Sequence, residues 1–291
     1  MSEMGKRILI IGLIIVMVCL AAWIIWDNGR IVVTTYEIKS KRLPKTFAGY
    51  KIVQISDLHN DEFGEKNKKL LAKIKEQEPD MIAITGDLLD SRRTDIGKAL
   101  DFVKGAVQIA PCYYVTGNHE SRMPKEYKEL ETGMREAGVN ILRNKVSVIE
   151  KGGEQIAVLG IDDPRFVIAT DKLKKMERVL SVTMSELKEE ISQDAFTLLL
   201  SHRPELFDLY CDQELDVVLS GHVHGGQFRL PFIGGIIGPG QGILPDYDAG
   251  VYTKGDTNMI LSRGLGQSIV PFRMNNPPEL VVLLLNENIK E

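Results

Sequence analysis

Cysteine is scarce in this chain of 291 residues, which contains three cysteines in all. Cys19 lies within an apolar N-terminal run, and Cys112 and Cys211 are far apart in the sequence. The chain therefore lacks the paired cysteine spacing of a zinc knuckle or a dithiol redox motif. Two separated cysteines leave both a disulfide and the redox compartment open.

Basic residues do not outnumber acidic residues either. The 36 Lys and Arg residues are outnumbered by 40 Asp and Glu residues, the formal net charge is −4, and the basic residues are scattered. Because proteins that bind nucleic acid gather their basic residues into a patch or stripe, nucleic acid is an unexpected partner. Hydrophobic residues make up 44% of the chain, which excludes a disordered chain and is enough for a sizeable core. The oligomeric state stays open.

One long hydrophobic run is present, at residues 8–26. Its nineteen positions carry no charge, and a helix of that length spans about 28 Å, enough to cross the hydrocarbon core of a membrane. We therefore predict a membrane anchor in residues 1–29 and one folded domain in residues 30–291. A cleaved signal peptide is the alternative, but the run is longer than a usual signal core, and residues 24–27 offer no small-residue cleavage site. Basic residues flank both ends, so the positive-inside rule does not decide the orientation.

Short polar clusters follow five apolar runs that we predict to be buried β-strands. The runs are residues 50–55, 80–85, 112–116, 196–200 and 215–219. The clusters contain, in the same order, Asp57 and His59, Asp87, Asn118 and His119, His202, and His222 and His224. Helical periodicity separates several of the runs, as in an α/β fold, where sites form at the carboxyl ends of the strands. Each cluster alone has an ordinary explanation: Asp57 could form a turn, and the His222–His224 pair could be hydrogen-bonded on a glycine turn.

The number of these polar side chains indicates two metal ions rather than one. All five histidines lie in the clusters, and with Asp57, Asp87 and Asn118 they give eight oxygen or nitrogen donors. That number is too large for one tetrahedral ion with an open position. One carboxylate would bridge two cations, because a shared anion screens their repulsion. Without cysteine, the donors suit Mn, Fe, Zn, Ni or Co.

The five clusters together resemble the motifs of the calcineurin-like metallophosphoesterase family. The motifs are Asp57-x-His59, Gly86-Asp87, Gly117-Asn118-His119-Glu120, His202 and Gly221-His222-x-His224, in the order of that family. The chain is most similar to the membrane-anchored or exported bacterial branch. It departs from that branch in its plain apolar anchor, where some relatives carry a twin-arginine export signal.

The resemblance implies a four-layer α/β/β/α sandwich preceded by one transmembrane helix. It also implies a dinuclear-metal phosphohydrolase that cleaves a phosphodiester or pyrophosphate by attack of a metal-bridging hydroxide. The implied ligands are Asp57, His59 and His224 for the first metal, Asn118, His202 and His222 for the second, and Asp87 as the bridge. His119 would be the catalytic imidazole, which donates a proton to the leaving oxygen or stabilises the transition state. A non-catalytic metal-binding scaffold for protein interaction is the alternative.

The physiological substrate stays open at this stage. Residues 230–256 form a long segment rich in glycine and proline with several large apolar residues, either a lid or lipid-facing lip beside the site or a packed surface loop. With the predicted anchor, this segment is compatible with a lipid-linked or envelope-derived phosphate ester, and a soluble phosphodiester is compatible too. We expect a single-pass membrane protein with its catalytic domain on the extracytoplasmic side. The candidates for phosphate contact are Arg122, Arg165, Arg203 and Arg263.

Overall fold

The computed structural model describes residues 2–267 and 270–288. In chain order its strands are β1 (Val32–Ser40), β2 (Tyr50–Ile55), β3 (Met81–Thr85), β4 (Cys112–Val115), β5 (Asn140–Ile141), β6 (Lys145–Lys151), β7 (Glu154–Gly160), β8 (Thr197–Leu200), β9 (Val217–Ser220), β10 (Arg229–Leu230), β11 (Gly234–Gly235), β12 (Ile237–Gly238), β13 (Gly242–Ile243), β14 (Gly250–Lys254), β15 (Thr257–Leu261) and β16 (Glu279–Glu287). The α-helices are α1 (Glu3–Gly29), α2 (Lys68–Glu76), α3 (Ile96–Ala106), α4 (Asn118–Ser121), α5 (Pro124–Glu136), α6 (Leu173–Glu189) and α7 (Phe207–Asp212).

Two six-stranded mixed sheets form the centre of the fold. The first has the strand order β1-β16-β2-β3-β4-β5, and the second has the order β14-β15-β9-β8-β7-β6. In the first sheet, β2 to β5 run parallel and β16 is antiparallel to β2. In the second, β7, β8, β9 and β15 run parallel between the antiparallel edge strands β6 and β14. The carboxyl ends of these parallel strands carry the candidate site.

Three hydrophobic clusters show how the layers pack. The cluster between the two sheets includes Ile52 and Leu219. The outer face of the first sheet is covered by α2, α3 and α5, which contribute residues such as Leu70 and Phe102. The outer face of the second sheet is covered by α6 and α7, with Met184 among the buried residues. Because successive strand residues point to opposite faces, each sheet is buried on both sides. The predicted four-layer α/β/β/α sandwich is confirmed.

Helix α1 stands apart from these layers. An 18-residue window of the helix has a mean hydropathy of 3.2, and none of it is buried against the rest of the chain. The helix is long and apolar enough to cross a membrane, although a signal sequence would meet the same criteria. At its end, Asp27 is buried and pairs with Arg30 at 2.7 Å.

The five predicted strands form with small shifts at their ends. A hairpin turn at Gly152 and Gly153 joins β6 to β7, and both glycines have the positive φ that such a turn requires, 60° and 82°. The segment 230–256 folds into two small hairpins, β10–β11 and β12–β13, and continues into β14. Its large side chains, among them Phe232 and Ile243, are exposed. The packed-loop interpretation is therefore wrong for these side chains.

Candidate metal centre

The seven residues predicted as metal ligands are all buried at strand ends. Asp57 and His59 follow β2, Asp87 follows β3, Asn118 begins α4 just after β4, His202 follows β8, and His222 and His224 follow β9. Five of them have a positive φ between 49° and 74°, namely Asp57, His59, Asp87, His222 and His224. Left-handed backbone is uncommon for residues other than glycine, and it is concentrated at functional sites. The fold thus holds these loops in a conformation that their sequence does not favour.

A first group of donor atoms consists of Asp57, His59 and His224. The two imidazole Nε2 atoms are 3.1 Å apart, and Oδ1 of Asp57 is 3.5 Å from Nε2 of His224 and 3.9 Å from Nε2 of His59. Two adjacent ligands of one ion, each about 2.0–2.2 Å from it, stand about 2.8–3.6 Å apart in octahedral or tetrahedral geometry. Two of the three separations are in this range and the third is about 0.3 Å longer, so the group is close to the spacing that a single cation requires.

A second group consists of Asp87, His202 and His222. Nε2 of His202 lies 3.2 Å from Oδ2 of Asp87 and 3.2 Å from Nδ1 of His222. The other ring nitrogen of His202, Nδ1, is 2.8 Å from the carbonyl of Thr85, which leaves Nε2 free to bind a metal. Oδ2 of Asp87 is also 3.7 Å from Nε2 of His59 in the first group. One carboxylate oxygen therefore lies between the two groups.

Asn118 lies beside these groups, and its side-chain oxygen is the atom that most needs a partner. Within the described part of the chain, Oδ1 of Asn118 is buried and accepts no hydrogen bond. A buried polar atom without a partner costs about 1–3 kcal/mol, a cost that a bound cation would remove. Together with the two groups, this oxygen makes the donor set fit two divalent cations.

The charges around the imidazoles favour ligand chemistry. Burial, opposed by Asp57 and reinforced by Arg273, lowers the pKa of His224 to about 4, and Nη2 of Arg273 lies 3.3 Å from Nδ1 of the ring. Burial and then Arg203 lower the pKa of His222, whose Nε2 is 3.1 Å from Nη1 of Arg203. Both rings are thereby kept neutral, which is the form that binds a metal.

His202 differs from the other two imidazoles. Burial disfavours its charged form, but the neighbouring Asp87 carboxylate outweighs burial and raises the pKa of His202 to about 10. A metal that binds Nε2 of this ring must therefore displace a proton.

His119, the predicted catalytic residue, lines the pocket next to Asn118. Its Nδ1 accepts a hydrogen bond from the backbone N–H of Ser91 at 3.0 Å, so the proton of the neutral ring is on Nε2. Its own backbone N–H donates to Oδ1 of Asp87 at 2.8 Å. The ring is therefore fixed beside the candidate ligands as a hydrogen-bond donor.

Glu120 has a role that the sequence interpretation left unassigned. One carboxylate oxygen accepts the backbone N–H groups of Asp87 and Gly117, at 3.0 and 2.8 Å, and the other accepts that of Leu89 at 3.0 Å. Burial, and next the charge of Asp87, raise the pKa of Glu120 to about 7. Its position three residues after Gly117, at the start of a helix, is the signal that could have revealed this capping role.

Asp90 is a second residue that the sequence interpretation missed. Its Oδ2 lies 3.8 Å from Nδ1 of His59, and both atoms are buried without a hydrogen bond in the described part of the chain. If His59 binds a metal through Nε2, its proton is on Nδ1 and faces this carboxylate. Carboxylates that orient metal-binding histidines in this way are a usual feature of metal sites.

The four arginines proposed for phosphate contact separate into two kinds. Arg165, Arg203 and Arg263 pair with Asp171, Asp163 and Glu279, at 2.7, 2.5 and 3.1 Å. Arg122 is exposed, lines the pocket and has no salt-bridge partner among residues 2–267 and 270–288. Arg122 and Arg203 both line the pocket, and of the two Arg122 is the exposed one. The adjacent carboxylates Asp162 and Asp163 bind Arg143 and Arg203 and do not join the metal groups.

A pocket of about 310 Å³ opens over the candidate ligands. Its lining includes the polar residues Asp87, Asn118, His119, His222 and His224 and the apolar residues Val223, Phe228, Ile237, Pro239 and Val270. The pocket therefore combines candidate metal ligands with apolar side chains.

Comparison with known proteins agrees with this geometry. The family model described as calcineurin-like phosphoesterase matches residues 50–226, more than half of the chain. The chain is 32% identical over 263 residues to the uncharacterized metallophosphoesterase YkuE of Bacillus subtilis, covering 87% of this chain and 84% of that protein. It is 28% identical over 245 residues to phosphodiesterase YaeI of Escherichia coli, covering 82% of this chain and 83% of that protein.

A solved structure shows the same fold. Sulfate thiohydrolase SoxB of Thermus thermophilus superposes with a TM-score of 0.50 at 13% identity, covering 84% of this chain and 57% of that one. At such low identity the likeness concerns the fold alone. The family match, the identity to YkuE and the buried His and Asp groups lead to one conclusion: the chain is a metallophosphoesterase and belongs to the calcineurin-like phosphoesterase family.

Proposed function

We propose that this protein is a membrane-anchored phosphohydrolase that uses two divalent cations to hydrolyse a phosphodiester or pyrophosphate. The observation that carries the proposal is the position of Asp87, whose Oδ2 is 3.2 Å from a nitrogen of one donor group and 3.7 Å from a nitrogen of the other. A carboxylate between two ligand groups is what a dinuclear centre requires. The similar protein YaeI is named a phosphodiesterase, which supports a phosphate ester as the class of substrate.

The ligands divide between two metals. Asp57, His59 and His224 would hold the first, Asn118, His202 and His222 would hold the second, and Asp87 would be the bridge. When bound, two such cations supply Lewis-acid chemistry: they lower the pKa of a water molecule and neutralise charge on the phosphoryl oxygens. The hard-to-borderline donors suit Mn, Fe, Zn, Ni or Co.

The remaining chemistry belongs to side chains that are not ligands. His119 is the catalytic residue, since its Nε2–H can donate to the leaving oxygen while Ser91 holds Nδ1 at 3.0 Å. Arg122, exposed on the pocket wall, binds the anionic phosphoryl group. The apolar side chains of Phe228 and Ile237 contact the rest of the substrate.

The anchor is α1, which crosses the membrane once and leaves the catalytic domain on the extracytoplasmic side. Support for the crossing itself comes from the length, hydropathy and exposure of the helix. A phosphate ester of the membrane or the envelope would be the substrate most accessible to a domain in that position.

The test uses the full chain, purified in detergent, with bis(p-nitrophenyl) phosphate and each of Mn, Zn, Fe, Ni and Co in turn. We expect turnover with at least one metal, loss of turnover with a chelator, and a metal content of about two per chain. His119→Ala should lower the rate by about 10²–10⁴-fold while the metal content stays unchanged. Metal binding without turnover would instead support the alternative, a non-catalytic scaffold for protein interaction.

A further inference from the structure

The end of α1 is fixed to the rest of the chain at one polar contact. Nδ2 of Asn28 donates to the carbonyl of Arg273 at 2.9 Å, and its Oδ1 accepts the backbone N–H of Arg273 at 2.7 Å and Nε2 of Gln267 at 2.8 Å. Asp27, the preceding residue, is 1% exposed. The helix therefore does not lead into a free linker, and its end is held against the segment around Arg273.

The same segment supports the candidate metal centre. Nη2 of Arg273 lies 3.3 Å from Nδ1 of His224, and Nδ2 of Asn276 donates to the carbonyl of His224 at 2.7 Å. A single arginine residue thus connects the end of α1 to a candidate ligand. Because the apolar window of α1 is wholly unburied, the helix projects away from the domain. The face of the domain from which α1 emerges is then the face that carries the site.

An uncharged, exposed segment lies beside this contact. We define the lip as residues 230–244, fifteen residues without a charge. Its exposed large side chains are Leu230, Phe232, Ile233, Ile237, Ile243 and Leu244. A contiguous apolar surface of this kind is rare on a soluble protein and marks an interaction site. One of these residues, Ile237, also lines the pocket.

The lip is attached to the same segment as α1. Phe228, just before the lip, forms a β-bridge with Met274, and its ring centroid is 5.6 Å from that of Phe272. Nε2 of Gln227 donates to the carbonyl of Phe272 at 2.6 Å. Phe272 itself is 39% exposed. The start of the lip and the end of α1 are therefore both held against residues 272–274.

From this arrangement we infer that the lip enters the boundary between headgroups and acyl chains beside α1, so that the pocket takes a phosphoester whose apolar part stays in the bilayer. The partner is a lipid surface, because the lip offers no charge to a protein partner and adjoins a helix of membrane-spanning length. A headgroup layer is about 5–8 Å deep on each side of the hydrocarbon core, and the contact of Asn28 keeps the site close to that layer. The amphiphilic lining of the pocket matches such a substrate. The substrate part of this inference rests on the proposed function.

The position of the lip relative to the bilayer can be measured by fluorescence, without an assay of enzymatic activity. In the full chain carrying Cys19→Ser and Cys211→Ser, an environment-sensitive dye is attached at Phe232→Cys and the protein is placed in phosphatidylcholine nanodiscs at one chain per disc. We expect blue-shifted emission and quenching by spin-labelled lipid. Val148→Cys is the matched control, since Val148 is 53% exposed on the edge strand β6, and its dye should show neither effect. Equal spectra at the two positions, or a shift that needs two chains per disc, would overturn the inference.

The substrate class is tested by inhibition of bis(p-nitrophenyl) phosphate hydrolysis with alkyl phosphates. Burying a methylene strengthens binding by about fourfold, so burial of two to three of the six additional methylenes of octyl phosphate should make it bind about 30-fold more tightly than ethyl phosphate. Phe232→Asp should reduce this ratio, and Val148→Asp should leave it unchanged. Equal inhibition by the two phosphates would refute the amphiphilic substrate. Absence of turnover with every metal would refute the proposed function alone, because the dye experiment would still decide where the lip lies.

Discussion

Replacement of Glu120 by glutamine should destabilise the loops that carry the metal ligands. The two carboxylate oxygens of Glu120 accept three backbone N–H groups, from Asp87, Leu89 and Gly117. A glutamine has one acceptor oxygen, so its best orientation keeps two of these bonds and turns an amide NH₂ toward the third N–H. The substitution removes one hydrogen bond to a charged carboxylate and leaves one buried backbone N–H without an acceptor. Together these two effects should lower the free energy of unfolding by about 2–4 kcal/mol.

The consequence for the metal site follows from where the three donors lie. They belong to the ends of β3 and β4, which present Asp87 and Asn118. Glu120→Gln should therefore weaken metal affinity by about 10- to 100-fold, as is usual for residues that support ligands. The unfolding free energy is measured by urea denaturation of the metal-free protein, and the affinity by metal titration.

The matched control is Glu150→Gln, at an exposed position of β6, which should change stability by less than about 0.5 kcal/mol. If Glu120→Gln unfolds at the same urea concentration as the unmodified protein and binds metal equally well, the three hydrogen bonds do not carry the stability assigned to them. A loss of stability with unchanged metal affinity would refute the link to the ligand loops.

Three further predictions concern the site directly. Gly221→Ala should lower the metal content toward one per chain, as measured by elemental analysis. The new Cβ atom would lie 1.8 Å from Oγ of Ser56 and 2.4 Å from Oδ2 of Asp57, a candidate ligand. Arg122→Ala should lower kcat/KM by about tenfold through loss of a charged hydrogen bond to the phosphoryl group. Although burial opposes it, Asp87 raises the pKa of His202 to about 10, so the ring is protonated below that pH. Metal binding at pH 7.5 should therefore release a proton, which calorimetry in buffers of different ionisation enthalpy detects.

Each of these predictions has a control or a contrary outcome. Gly97→Ala is the control for Gly221, because its Cβ would meet only Oδ1 of Asp95, at 3.3 Å. Arg135→Ala removes an exposed arginine of α5 and should leave kcat/KM unchanged. A full metal content in Gly221→Ala, an unchanged kcat/KM in Arg122→Ala, or no proton release on metal binding would contradict the corresponding geometry.

The positions of the candidate ligands could be predicted because their signals are local. Each candidate ligand lies within five residues of the end of an apolar run, so the strand and its terminal donor can be recognised within about ten residues. The division of His222 and His224 between two groups was implied by the family resemblance, and the structure places His222 with His202 and His224 with His59. The sequence spacing of the two histidines could not predict this division, because the positive φ values at both histidines depend on the packing of the loop.

The residues that support the ligands could not be predicted, because their contacts are distant in sequence. Arg273 contacts His224, which is 49 residues away in the sequence, and Asn28, which is 245 residues away. No recognisable motif surrounds Arg273. Arg203, a candidate for phosphate contact, lines the pocket and also pairs with Asp163, which is 40 residues away in the sequence. The hairpins of the lip have strands of two residues, too short for any alternation to be read.

The pairing of β1 with β16 has a mechanical consequence. Strand β1 begins at Val32, three positions after α1 ends at Gly29, and it runs parallel to β16 through nine residue pairs, from Val32 with Glu279 to Ser40 with Glu287. When a force applied through α1 acts along the axis of β1, the ladder bonds, which cross between the strands, share that load in shear. The domain should therefore withstand traction on its N-terminal helix better than it would if β1 could be peeled away one hydrogen bond at a time.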